Sequence, residues 1–181
     1  MARPAGPGRE ALLRAGFRVA GERGLTGMSV NAVVEAAGMA KGAFYQHFAD
    51  RRAFVVALHR NYHDELTRLV MAAVDGIEPG AARLTAGLHA YLDACAATEG
   101  TRGMLIQART ELDLIDETRS RNAQIVQLCI PDVAAVGWSD PEPITRMMVA
   151  MIGDVGLHEL FDGRRHDRLR AAVLELVVRS P

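Results

Sequence analysis

The sequence predicts an all-α protein, with an N-terminal three-helix head of helix-turn-helix type followed by a larger helical bundle. Three observations carry this. No segment alternates apolar and polar residues with β-branched enrichment, whereas apolar residues recur at i, i+3 and i+4 throughout. Glycines, prolines and small polar residues cut the chain into segments of helical length. Two short apolar-periodic segments also meet at a single glycine, Gly38, as two helices packed around a tight turn require.

The first helix is read from Leu12, Ala15, Val19 and Ala20, with Gly24 as its stop. Ser29 precedes Val30, Val33 and Val34 and suits the N-cap of a short second helix, because its hydroxyl can accept from a first-turn N–H. Gly38 ends that helix, and a third helical stretch covers 40–48. Asp50 is the expected N-cap of a long fourth helix running to about Val74, after which Gly76 to Gly80, with Pro79, break the chain. Further helices are expected at about 81–98, 101–111, 113–135, 141–161 and 164–179, with Asp140-Pro141 and Gly163 as the clearest punctuation. The head is assigned to residues 1–50 and the remaining bundle to 51–181, with the fourth helix linking them.

At 181 residues and 49% hydrophobic, the chain can bury a sizeable core. Seventeen glycines and seven prolines are ordinary usage, which excludes collagen-like and low-complexity chains. No apolar run approaches the roughly 20 residues that span a bilayer, and the start, MARPAGPGRE, lacks the apolar stretch of a signal peptide. Cys95 and Cys129 stand far apart in apolar surroundings and read as buried thiols of a reducing compartment. Together these features predict a soluble cytoplasmic protein with no membrane partner. The overall net charge of −1 conceals an asymmetry: residues 1–60 carry nine basic and four acidic side chains, residues 61–181 twelve and eighteen. A basic head on an acidic remainder fits a polyanion meeting one part only.

The segment Ser29 to Phe48 carries the functional signal. Val33, Ala37, Met39, Phe44 and Phe48 supply the shared core of two short helices, leaving Lys41, Gly42, Ala43, Tyr45, Gln46 and His47 on or near the open side. A helix-turn-helix reads DNA by laying such a second helix in the major groove. Ala40, Gly42 and Ala43 are small enough for close approach, and Lys41, the only lysine in the chain, can reach guanine O6/N7 or a phosphate.

On these residues, from Ala36-Ala37-Gly38 through Lys41-Gly42-Ala43-Phe44-Tyr45-Gln46-His47-Phe48 to Arg51, residues 9 to about 60 resemble the DNA-binding domain of the tetracycline-repressor-like (TetR) family of bacterial regulators. Gly24 and Ser29 also stand at the family's spacing. The resemblance implies a DNA-binding regulator, by family default a repressor released from a palindromic operator by a small-molecule effector. It further implies that Tyr45 and His47 contact phosphates, that Lys41 contacts phosphate or base, and that Gly42 and Ala43, beside Gln46, face base edges. Ser29 and Arg51 would hold phosphates at the starts of the second and fourth helices. The sequence departs from the family pattern at Ala20, Gly16, Val34 and Ala40. Arg3 and Arg9 read as a tail, with a minor-groove arm as the alternative.

The resemblance implies a homodimer through the last two helices, with Met147, Met151, Gly153, Val155, Gly156, Leu160, Leu169, Val173, Leu176 and Val177 as candidate interface residues. It also implies an effector pocket among the fourth to eighth helices, for which Tyr62, Leu66, Leu88, Tyr91, Leu92, Cys95, Met104, Gln107, Met148 and Met151 are candidates. The effector would act by tilting the fourth helix and shifting the spacing of the two heads. No catalytic residue, metal site or cofactor is expected, since GxSxG, HExxH, P-loop and GxGxxG motifs are absent. The alternative is a small helical enzyme or a metal-binding protein. His59 and His63, beside Asp64, have metal-compatible spacing but read as solvated histidines without a third ligand nearby, and Asp154 with His158 reads as a helix-face pair.

Overall fold

The computed structural model describes residues 7–178, and every regular element among them is a helix. In chain order these are α1 (Pro7–Gly27), α2 (Val30–Ala37), α3 (Lys41–Tyr45), α4 (Arg51–Ala73), α5 (Ala81–Ala96), α6 (Glu99–Glu111), α7 (Ile115–Ala135), α8 (Pro141–Asp162) and α9 (Asp167–Val178). The punctuation falls where the side chains dictate. Gly24, the expected stop, is a non-helical kink in α1 (φ 60°, ψ −165°). The Asp50 carboxylate accepts from the N–H of Ala53 at 2.7 Å and so opens α4. Among the described residues, no helix is long and apolar enough to cross a membrane.

By contacts the chain forms two compact units, one of residues 1–63 with 98–117 and the other of 64–97 with 118–181. This division does not follow the expected boundary at residue 50. The first half of α4 joins the head because Phe54, Val55 and Leu58 are buried to within 1% of full occlusion. Helix α6 joins it by direct backbone contact with α1: a Cβ on Gly100 would lie 2.8 Å from the Cα of Gly21. At Gly16 the next close approach occurs, where a Cβ would come 2.6 Å from Phe54 Cζ and 2.9 Å from Leu58 Cδ1. In the sequence Gly16 reads as a flaw in α1; in the structure it is the place where α4 side chains enter.

In the second unit Leu84, Leu88 and Leu92 of α5 form one core with Val133 of α7, Met148 and Val155 of α8, and Val173 and Val177 of α9. Two polar devices fix its edges. Asp132 on α7 accepts from the N–H of Gly80 at 3.1 Å and from Arg83 at 3.2 Å, holding the start of α5. At the α8–α9 turn, the buried Arg170 makes paired bonds to Glu159, Nε to Oε1 at 2.7 Å and Nη2 to Oε2 at 2.8 Å. Its third nitrogen, Nη1, reaches Asp93 of α5 at 2.5 Å. Burial pushes the Glu159 carboxyl up, but the Arg170 hydrogen bonds, the His166 N–H and the Arg170 and Arg165 charges together hold it below its usual range of about 4.5. Cys95 is buried and Cys129 half-buried, both as free thiols. Burial first, and the Asp132 charge second, push the Cys129 thiol up to about 11, so it is not a reactive thiolate at neutral pH.

Candidate nucleic-acid interface

The exposed helix α3 is placed by two caps and an aromatic wedge. Ser29 Oγ accepts from the N–H of Ala32 at 3.1 Å, starting α2. Gly38 then closes α2 in the left-handed region (φ 65°, ψ 32°), where a Cβ would be strained. Its N–H donates to Glu35 O at 3.0 Å, and Met39 N–H donates to Val34 O at 2.9 Å, so the chain turns sharply into α3. On α3 the fully buried Phe44 faces inward, with its ring 5.4 Å from Phe48 and 5.3 Å from Phe54. Phe48 and Phe54 meet edge to face at 4.9 Å. With Phe44 fixed inside, the neighbouring side chains of this short helix must face out.

The outward set is Lys41, Gly42, Tyr45 and Gln46, all exposed, with Ala43 half-buried. Tyr45 is 52% exposed and leans edge-on against Phe44 at 5.4 Å, so its phenol is anchored at the ring and open at the hydroxyl. Nothing lies within 4 Å of where a Gly42 Cβ would stand, leaving a flat strip of backbone. His47 is half-buried, its Nε2 only 2.9 Å from the Cβ position of Gly8 at the start of α1. Ser29 is exposed at the start of α2, with its hydroxyl proton available to an anion while its oxygen serves the cap.

Two arginines depart from the sequence expectation. Arg51, expected at a phosphate, turns inward: Nε donates to Met28 O and Nη2 to Leu25 O, both at 2.6 Å. Those carbonyls end α1 and lead into α2, so the guanidinium ties three helices together. Arg9, expected in a tail, belongs to α1 and stacks over the Phe48 ring at 5.3 Å. Arg3 lies outside the described residues. The sequence reading missed Arg18, which donates to Ala36 O at the end of α2. A basic residue opposite a helix C-terminus is a signal only once the packing of α1 on α2 is known.

The other candidate sites are dispersed. Of the pocket candidates, Tyr62, Met104 and Gln107 fall in the first unit and the other seven in the second. Tyr62 Oη shares a 2.9 Å hydrogen bond with Thr98, Met104 is buried, and Gln107 is exposed. Leu66 and Cys95 are buried, while Leu88, Leu92 and Met148 belong to the second-unit core with Tyr91 and Met151 packed against it. Among the interface candidates, Val155, Val173 and Val177 are core side chains of their own chain, and Gly156 is buried with them. Met151, Gly153 and Leu160 are half-buried, whereas Met147, Leu169 and Leu176 are exposed. His59 is not solvated but fully buried, its ring 4.4 Å from that of the half-buried His63, and Asp64 pairs with Arg121 at 2.5 Å. His158 and Asp154 remain an exposed pair at 3.6 Å. No group of three or more potential metal ligands occurs among the described residues.

Residues 12–58 match the family model for bacterial regulatory proteins of the tetR family. The repressor NemR of Escherichia coli K12 is 37% identical over 68 residues, which is 35% of this chain and 34% of NemR. A TetR-family transcriptional regulator from Rhodococcus sp. superposes with a TM-score of 0.79 at 24% identity, covering 96% of this chain and 98% of that one. The multidrug binding protein EbrR, solved with imidazole, gives 0.76 at 22% identity, covering 100% and 95%. Residues 12–58 thus carry the sequence of a tetR-family head, and the fold is shared with these solved proteins along nearly the whole chain.

Proposed function

We propose that this protein is a homodimeric transcriptional repressor that binds a palindromic operator and leaves it when a small molecule binds the helical bundle. The observation that carries the reading is α3: Phe44 is locked inside while Lys41, Gly42, Tyr45 and Gln46 face out on a head of net positive charge. Lys41 and Tyr45 are the proposed phosphate or base contacts, with His47 and Ser29 at phosphates and Gly42 and Ala43 against base edges. Arg51 serves this surface from behind, by fixing the start of α4. NemR, 37% identical over 68 residues, is itself a repressor.

Pairing through α8 and α9 is supported by Phe161, Leu176 and Met147, which are 77%, 64% and 62% exposed, with Leu169 on α9 at 38%. Two-fold pairing would set two heads on half-sites about one helical turn, roughly 34–36 Å, or more apart. For the effector we propose the second-unit group of Leu88, Tyr91, Leu92, Met148 and Met151, where methionines can re-pack around an apolar ligand. EbrR, of the same fold, is a multidrug binding protein.

The test is a fluorescence-anisotropy titration of the full chain against duplexes flanking its own gene, with a scrambled duplex as control and several salt concentrations. Saturable binding that exceeds the scramble, with log affinity falling linearly in log salt, supports the reading. In Lys41→Ala the salt slope should fall by about 1, as one phosphate contact is lost. Equal weak binding to every duplex tested, genomic fragments included, refutes it.

A further inference from the structure

The first turn of α1 lacks a side chain at the point where it meets both ends of α3. Pro7 opens α1, and Gly8 and Arg9 follow it. Gly8 is not among the glycines with positive φ, so its backbone is one that any residue adopts, and what a glycine provides there is space. A Cβ on Gly8 would stand 2.9 Å from His47 Nε2, 3.7 Å from His47 Cδ2 and 3.3 Å from Met39 Cε. Met39 precedes α3 and His47 follows it, so both ends of the exposed helix close on one point of α1. One residue further on, the Arg9 guanidinium lies 5.3 Å from the centre of the Phe48 ring. Two adjacent residues of α1 thus meet two adjacent residues after α3. All of these residues belong to the first compact unit.

This contact settles what the backbone leaves open. The His47 N–H donates to Phe44 O at 3.0 Å and the Phe48 N–H to the same oxygen at 2.9 Å, so the main chain after α3 is tied to the buried Phe44. What stays free at His47 is the direction of its imidazole, set by rotation about its side-chain bonds. His47 is half-buried, and on the α1 side its ring occupies the space that a Gly8 side chain would take. A hydrogen bond from a ring N–H weakens steeply as its angle falls away from linear, so a ring turned out of this seat loses its phosphate. We propose that Gly8 is a positioning residue for DNA recognition: its missing Cβ seats the His47 ring and so aims the phosphate contact. The proposal rests on the DNA-binding reading above and adds to it the residue that sets the direction of one contact.

Stability and affinity should move in opposite directions in one variant. Gly8→Ala places a better helix former on a compatible backbone, which should hold the Tm or raise it by about 1–4 °C. The added methyl falls on the far end of a flexible side chain, His47 Nε2, so the ring turns while the core is left alone. Operator binding should weaken about tenfold, as when one hydrogen bond to a charged group is lost. A merely structural defect would instead lower Tm and affinity together. In a double-mutant cycle the weakening should disappear: with His47→Ala in place, Gly8→Ala should change operator affinity by less than about twofold. Anisotropy titrations and thermal melts are run on the full chain with the duplexes of the preceding test. Wild-type operator affinity in Gly8→Ala overturns the proposal, as does a tenfold weakening that persists beside His47→Ala, and the regulator reading survives either result. Absence of any operator preference in the wild type overturns both, and the wild-type arm identifies that case.

Discussion

Replacing Arg170 with methionine removes the only guanidinium in the α8–α9 corner that is both buried and paired with a buried acid. Methionine keeps most of the stem's bulk, so the packing loss is small and the electrostatic loss dominates. Two carboxylates lose their partner, and they are not equivalent. Asp93 is half-exposed, at 52%, and retains Arg165 at 3.2 Å, so water and a second cation relieve it. Glu159 is 5% exposed and retains the His166 N–H at 2.9 Å. The cost therefore falls on Glu159, and breaking a buried pair from one side costs ~3–5 kcal/mol. Against a total stability of about 5–15 kcal/mol this is a severe variant. The double change Arg170→Met with Glu159→Leu removes the stranded charge too, and should recover all but about 1 kcal/mol. Urea unfolding at one fixed protein concentration measures both. Trp138, the single tryptophan, is the reporter; its indole N–H donates to Val177 O at 2.7 Å, so its fluorescence follows the same unit. A single variant within about 1 kcal/mol of wild type, or a double variant as unstable as the single, would refute the reasoning.

Three further outcomes are expected. Gly16→Val should lose about 1–3 kcal/mol by overpacking and should weaken operator binding as well, because the clash falls on Phe54; thermal melts and anisotropy on the same samples check both. Arg51→Met should cost about 2–3 kcal/mol by stranding the carbonyls of Leu25 and Met28, yet keep the wild-type salt slope of DNA binding, whereas a phosphate-contacting residue would reduce it. On acidification, the stability carried by Glu159 is fully present above its unfolded pKa of about 4.5 and is lost as pH falls through its lower folded value. Trp138 fluorescence should report that loss below pH 4.5, and in the Arg170→Met, Glu159→Leu double variant the corresponding step should be absent.

The helices were legible in the sequence because their signals are local. Ser29, Gly38, Asp50, Asp140-Pro141 and Gly163 each act within a few residues of themselves, and each stands at a helix end. The outward set on α3 was legible for a related reason, since two phenylalanines four residues apart leave few ways to orient so short a helix. What the sequence hid is non-local. A guanidinium at Arg51 serves a phosphate or a carbonyl equally well, and the choice depends on Leu25 and Met28, more than twenty residues away. Apolar spacing on α8 and α9 could not separate Val155, Val173 and Val177, which fill their own chain's core, from Met147, Leu169 and Leu176, which do not. Nothing in the sequence links Gly21 to Gly100; only their meeting shows that α6 belongs with α1.

That meeting bears on how the chain is made. A ribosome delivers residues 1–63 well before residues 98–117, yet both stretches build one unit, with Met104, Leu105 and Ala108 of the later stretch at 2%, 2% and 0% exposure. The surface of α1 that receives α6 must wait, uncovered, while α5 and the rest of α4 are synthesised. At about 5–20 residues per second that interval lasts seconds, long against the microseconds in which helices form. A nascent chain stalled before residue 98 would present this apolar strip to chaperones and proteases, and one released after residue 117 would not. Fusions that borrow the head alone inherit the same uncovered strip unless they carry α6 with it.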